Sequence, residues 1–211
     1  MENTTNTILY SKNADEVLFP GSTVKIMTCF LALENTQLTD EVTMTATGVS
    51  GVTDGGASIS SQVDEVFTVE QCLYAIMVAS ANDIALQIAE HVGGSVDGFV
   101  QQMNTRAQEL GCTNTVFTNP TGLPDDNQHT TAHDMALIMQ AAIQNESFRT
   151  IAAATSYTIP ATNKAAARNL TSKFTMTDTG STGFTKDVSA VRKVIRKPPE
   201  VHWYVQPSEM A

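Results

Sequence analysis

Basic residues are scarce in this chain: 12 Lys and Arg stand against 22 Asp and Glu in 211 residues, a formal net charge of −10. Phosphate backbones are held by a basic face, so this balance argues against a nucleic-acid partner. Cysteine is nearly absent. The three that occur, Cys29, Cys72 and Cys112, are odd in number, widely spaced and outside any Cys-x-x-Cys or Cys/His pattern, which reads as small buried apolar side chains. The four histidines, His91, His129, His133 and His202, share no metal-ligand spacing, and no cofactor is expected. Long apolar runs are missing too. No stretch of 18 apolar residues occurs and the first residues are polar, so the chain as given encodes neither a membrane span nor a secretory leader. With 42% hydrophobic and 16% charged residues, the composition is that of one globular core with room for an inserted subdomain.

What the chain does carry is a hydroxyl and an amine one helical turn apart, in Pro20-Gly21-Ser22-Thr23-Val24-Lys25. Serine oxygen attacks poorly until a base takes its proton, and a desolvated lysine three residues on, on the same face, can serve as that base. Alone, the spacing equally describes an N-terminal serine and a solvated lysine. A helix is expected from Ser22 to about Asn35, with Ile26, Cys29, Phe30 and Leu33 on its buried face. Ser22 then sits in the first turn, where the helix dipole favours negative charge.

A second group lies at Ser80-Ala81-Asn82-Asp83, between the apolar runs 74–78 and 84–89. Serine and asparagine compete with helical backbone for hydrogen bonds, so this tetrad reads as a helix start or an inter-helix turn facing a cleft, or simply as an N-cap. A third candidate is Gly180-Ser181-Thr182-Gly183-Phe184-Thr185, on a late strand.

Ser-x-x-Lys, Ser-x-Asn and a late Thr-Gly together resemble the serine-type D-alanyl-D-alanine carboxypeptidases, the low-molecular-mass penicillin-binding proteins. Leu9-Tyr10-Ser11-Lys12-Asn13-Ala14, Ala89-Glu90-His91, Met103-Asn104, Glu109-Leu110-Gly111, Asn119-Pro120-Thr121-Gly122-Leu123-Pro124 and Tyr157-Thr158-Ile159-Pro160 extend the likeness from about Thr4 to about Lys186. The resemblance implies an α/β (α+β) sandwich of the β-lactamase/transpeptidase type, with an antiparallel sheet and a helical subdomain. The catalytic domain is expected over 1–186, the helical subdomain over about 40–150, and a divergent basic tail over 187–211. Residues 186–211 carry 5 bases and 3 acids where 1–185 carry 7 and 19, and a reading-frame slip near Lys186 would account for that break. The family's first core strand is expected to be missing before Met1, leaving the chain short at both ends and its sheet incomplete.

By the same resemblance the reaction is acyl transfer. Ser22 attacks a peptide ending in D-Ala-D-Ala, Lys25 takes its proton, Ser80 relays a proton to the leaving D-alanine, and Asn82 binds the substrate backbone. Ser181, Thr182, Gly183 and Phe184 bind substrate, the backbone N–H groups of Ser22 and Phe184 holding the oxyanion. The implied partners are peptidoglycan stem peptides and, as covalent inhibitors, β-lactams; the implied place is the extracytoplasmic, cell-wall side. One departure stands out: Ser181 occupies the position where the family has lysine, which removes a charge-assisted contact to the substrate carboxylate. Two alternatives stay open, a non-catalytic remnant that binds peptidoglycan or a partner, and a serine β-lactamase, the latter weakened by Ala81 where that class has aspartate.

Three further elements are expected from local pattern: a short strand at Thr7–Tyr10, a helix opened by a Thr68/Gln71 capping box, and a helix after Thr131. The segment 118–130, rich in Asn, Pro, Gly and Asp, reads as a loop that is either functional or disordered; the resemblance implies that it lines the cleft, with His129 structural.

Overall fold

The computed structural model describes residues 1, 5, 7–51 and 56–172. Its order is a 3₁₀ turn (Gly21–Thr23), α1 (Val24–Asn35), β1 (Glu41–Thr43), α2 (Ala46–Ser50), β2 (Val66–Thr68), α3 (Val69–Ala79), α4 (Asn82–Gly93), α5 (Val96–Glu109), α6 (Ala132–Ala142), α7 (Glu146–Ala153), β3 (Ser156–Ile159) and β4 (Arg168–Thr171). Two antiparallel pairs form among the described residues. β1 joins β2 with Val42 opposite Phe67, and β3 joins β4 with Tyr157 opposite Leu170. Helices and small antiparallel sheets are thus combined in one α/β body.

Local chemistry sets the helix ends. Thr68 accepts from the Gln71 N–H while Gln71 Oε1 accepts from the Thr68 N–H, the reciprocal capping box at the start of α3. Ser95 and Thr131 cap α5 and α6 by accepting from Gly98 and Asp134 N–H. At the end of α5, Gly111 (φ +85°) donates to Gln108 O and Cys112 N–H reaches Ala107 O, a Schellman closure that needs the left-handed residue.

α1 is the spine. Every residue from Val24 to Ala32 is buried, because α3, α4, α5, α6 and α7 all pack around it. Its burial therefore extends well beyond the expected stripe of Ile26, Cys29, Phe30 and Leu33, and Lys25 is enclosed with it, only 3% exposed. The three cysteines lie in this core. Burial is the main reason that the Cys72 thiol is pushed far up, aided by the Asp83 carboxylate and Cys29, and that the Cys112 thiol is pushed up to about 12, aided by Asp134.

Two expectations need correction. Thr7–Tyr10 is not a strand: Ile8, Leu9 and Tyr10 are 52%, 55% and 60% exposed and pair with no ladder among the described residues. A strand is stabilised by its neighbour, which sequence pattern alone cannot supply. The incoming chain is held further on, where Leu18 and Thr130 exchange backbone hydrogen bonds at 2.9 Å. The first helix also starts later, with Ser22 in the 3₁₀ turn that feeds α1. The expected basic tail at 187–211 lies outside the described residues. No helix among the described residues is long and apolar enough to cross a membrane.

Candidate active site

Gly21 turns the chain with φ +51° and delivers Ser22 to the mouth of α1. One turn on, the Lys25 stem lies in the core and its Nζ reaches out to two oxygens, Ser22 Oγ at 3.5 Å and the Thr121 carbonyl at 2.5 Å. The first contact is long, as catalytic hydrogen bonds often are before substrate tightens them.

Ser80 approaches from the other side. It ends α3 in the left-handed conformation (φ 57°, ψ 33°), which is uncommon for a residue with a Cβ and places a polar side chain at a helix junction. From there its hydroxyl donates to Ser22 Oγ at 3.3 Å. Ala81 turns the chain, and Asn82 opens α4. Asn82 is 4% exposed, and its N–H donates to Ala57 O at 2.7 Å. Its carboxamide lies against Gly56, where a Cβ would come within 2.1 Å of Nδ2. A side chain at that position would have to displace the Asn82 carboxamide.

Asp83, fully buried, ties this wall down. Its Oδ2 accepts from Ser58 Oγ (2.8 Å), Ser61 N–H (3.1 Å) and Ser61 Oγ (2.8 Å), so the segment 57–61 is laced across the start of α4. A buried carboxylate is tolerable when its lone pairs are filled in this way.

The segment 118–128 packs against α1 and the Gly21–Ser22 turn. Thr28 on α1 donates to Pro120 O (2.8 Å), and Gly122 (φ +81°) packs on the peptide between Gly21 and Ser22 so closely that a Cβ would sit 1.8 Å from Gly21 O. His129 Nδ1 pairs with Asn127 O at 2.9 Å, away from these contacts.

Ser22, Lys25 and Ser80 are thus brought together, with Asn82 two residues after Ser80 on the neighbouring helix start. Ser181, Thr182, Gly183 and Phe184 lie outside the described residues. Four features escape the Ser-x-x-Lys and Ser-x-Asn spacings: the Thr121 carbonyl, Gly56, Asp83 and Gly122. A backbone acceptor has no sequence signature, and a glycine declares a close approach only when its neighbour is known. Two signals point toward them: Asp83 adjoins Asn82, and Thr121 and Gly122 lie in the 118–130 segment expected at the cleft.

A serine on the turn opening a buried helix, a lysine one turn on and a Ser-x-Asn step between two further helices define the penicillin-binding, transpeptidase-like class. The crystal structure of a Streptomyces DD-transpeptidase shares the fold: TM-score 0.74 at 33% identity, covering 81% of this chain and 69% of that one. The D-alanyl-D-alanine carboxypeptidase DacD of Francisella tularensis superposes with TM-score 0.72 at 30% identity, covering 80% of this chain and 41% of its own. Residues 1–192 match the D-alanyl-D-alanine carboxypeptidase family, peptidase S11, and the chain belongs to that family. Among curated relatives, the D-alanyl-D-alanine carboxypeptidase DacF of Bacillus subtilis is 38% identical over 152 residues, which are 70% of this chain and 38% of that protein.

Proposed function

We propose that this chain is a serine acyl-transfer enzyme of peptidoglycan metabolism, on the cell-wall side, removing the terminal D-alanine from stem peptides that end in D-Ala-D-Ala. The observation that carries the reading is the convergence of Lys25 Nζ and Ser80 Oγ on Ser22 Oγ, at 3.5 and 3.3 Å. Ser22 Oγ adds to the penultimate carbonyl while its proton passes to Lys25. The tetrahedral oxyanion then collapses, the C–N bond breaks, and Ser80 relays a proton to the departing D-alanine amine. Water hydrolyses the ester and restores Ser22. Asn82, held by Gly56 and Ala57, faces the peptide backbone of the substrate. β-Lactams enter the same path as amides whose leaving group stays attached.

Fluorescent penicillin tests the nucleophile: the expected result is a labelled band that is lost in Ser22→Ala, and equal labelling of both chains rejects Ser22. Release of D-alanine from a stem peptide tests turnover. A second reading, binding without turnover, is favoured by Ser181, which puts a neutral hydroxyl where the family has lysine. The two readings part on Ser181→Lys, which raises D-alanine release if the lost cation is the limiting defect.

A further inference from the structure

The segment 119–123 is folded around one side chain. Asn119 Oδ1 accepts from three donors, Thr121 N–H (3.2 Å), Thr121 Oγ1 (2.9 Å) and Gly122 N–H (2.8 Å), and its Nδ2 donates to Leu123 O (3.0 Å). Two of those donors are backbone N–H groups, which can only donate, so the oxygen of the carboxamide must be the atom that faces them. Asn119 is itself held by Gln128, a residue 1% exposed, whose Oε1 accepts from Thr118 and Asn119 N–H at 3.1 and 3.2 Å. The outcome of this folding is a single presentation. The Thr121 carbonyl points to Lys25 Nζ at 2.5 Å, and the next residue, Gly122, rests on the Gly21–Ser22 peptide.

We propose that Asn119 is a positioning residue for the acyl-transfer step: by closing this turn, it aims the Thr121 carbonyl at Lys25 and seats Gly122 under the nucleophile. Lysine has a flexible four-carbon stem, and a fixed acceptor that engages one of its N–H groups restricts where the others, and the proton taken from Ser22, can go. An ångström of misplacement at such a group can cost on the order of 10²-fold in rate. Asn119 touches neither substrate nor the reacting atoms in this scheme; it acts through Thr121 and Gly122. The inference deepens the acyl-transfer reading, and its test has one arm that does not depend on activity.

Asn119→Ala removes the turn's acceptor, whereas Asn119→Asp keeps an oxygen toward Thr121 and Gly122 and gives up only the donor to Leu123. With both variants checked for folding by thermal melting, penicillin labelling of Ser22 is expected to slow at least about tenfold in N119A at saturating penicillin, with little change in the half-saturating concentration, and to recover in large part in N119D. Crystal structures of the variants form the second arm: Lys25 Nζ moves beyond about 3.5 Å from Thr121 O in N119A and stays within it in N119D. Wild-type labelling in N119A, or a Lys25 to Thr121 contact that survives there, overturns the inference. If the wild-type chain does not label at all, the acyl-transfer reading fails, and the crystallographic arm alone decides for or against Asn119. Should N119A not fold, Asn119→Ser, whose oxygen is too short to span the turn, takes its place in both arms.

Discussion

At the residue scale the account turns on groups whose surroundings leave no substitute. Gly122 combines φ +81° with a Cβ position only 1.8 Å from Gly21 O. Gly122→Ala must therefore push the Gly21–Ser22 turn away, and is expected to lower stability by about 2 kcal/mol or more and to slow labelling of Ser22. Thermal melting and a labelling time course read the two effects separately. Asp83 gives a contrasting case. Asp83→Ala leaves the Ser58 and Ser61 donors without their acceptor, and urea unfolding is expected to show a loss of about 3 kcal/mol, with Asp83→Asn retaining part of it. The cysteines supply a third. Cys29, Cys72 and Cys112 are buried, and the Cys72 and Cys112 thiols are held in the protonated form. At pH 8 an alkylating reagent should modify almost none in the folded chain and all three in urea, because the thiolate is the reactive species. Rapid alkylation of the folded chain would contradict the core packing.

At the element scale, the β3–β4 pair is fastened to the body by an ion pair between partly exposed Arg168 and buried Glu65. Arg168 grips the buried Glu65 carboxylate at 2.7 and 3.0 Å, Thr162 Oγ1 adds a 2.5 Å bond, and the guanidinium lies over the Phe67 ring. Burial alone would raise the Glu65 carboxyl, but the bonds from Arg168, Thr162 and the Gln62 N–H outweigh it and hold the group below the usual glutamate value. The sign follows by linkage: the folded state binds the proton less tightly than the unfolded one. The contribution of Glu65 is thus fully present above the unfolded-state value near 4.5 and is lost as pH falls through the folded one. Glu65→Gln should reduce stability at pH 7 and flatten its decline below about pH 4.5, which denaturant unfolding across pH 3 to 7 will show. Sequence reading reached the helices after Thr68 and Thr131 for a local reason. Thr68 with Gln71, and Thr131, are written within a turn of the ends they set. The strand expected at Thr7–Tyr10 failed because pairing is non-local, and the same limit hid the partnership of Glu65 with Arg168, 103 residues apart.

At the scale of the whole molecule, one helix joins the core to the chemistry. α1 is buried along nine consecutive residues and carries the lysine at its open end, so loss of packing elsewhere around it reaches the site through the backbone. Phe99, fully buried on α5, offers a distant test: Phe99→Ala is expected to cost about 3–5 kcal/mol. Of the candidate site, Ser22, Lys25, Ser80 and Asn82 were legible because each motif spans a single turn. The loop 118–130 was expected at the cleft through the resemblance, but its contacts were not legible, since Thr121 contributes a carbonyl and Gly122 an absence of side chain, and both lie about 100 positions from Ser22. The central claim is that Ser22 is a nucleophile served by Lys25. It is tested most directly by mass spectrometric peptide mapping after incubation with benzylpenicillin, for the wild-type chain, Ser22→Ala and Lys25→Ala. The account predicts a single covalent adduct on the peptide containing Ser22, lost in Ser22→Ala and formed at least about 10²-fold more slowly in Lys25→Ala. An adduct on another residue, or one that forms at the wild-type rate without Lys25, would contradict it.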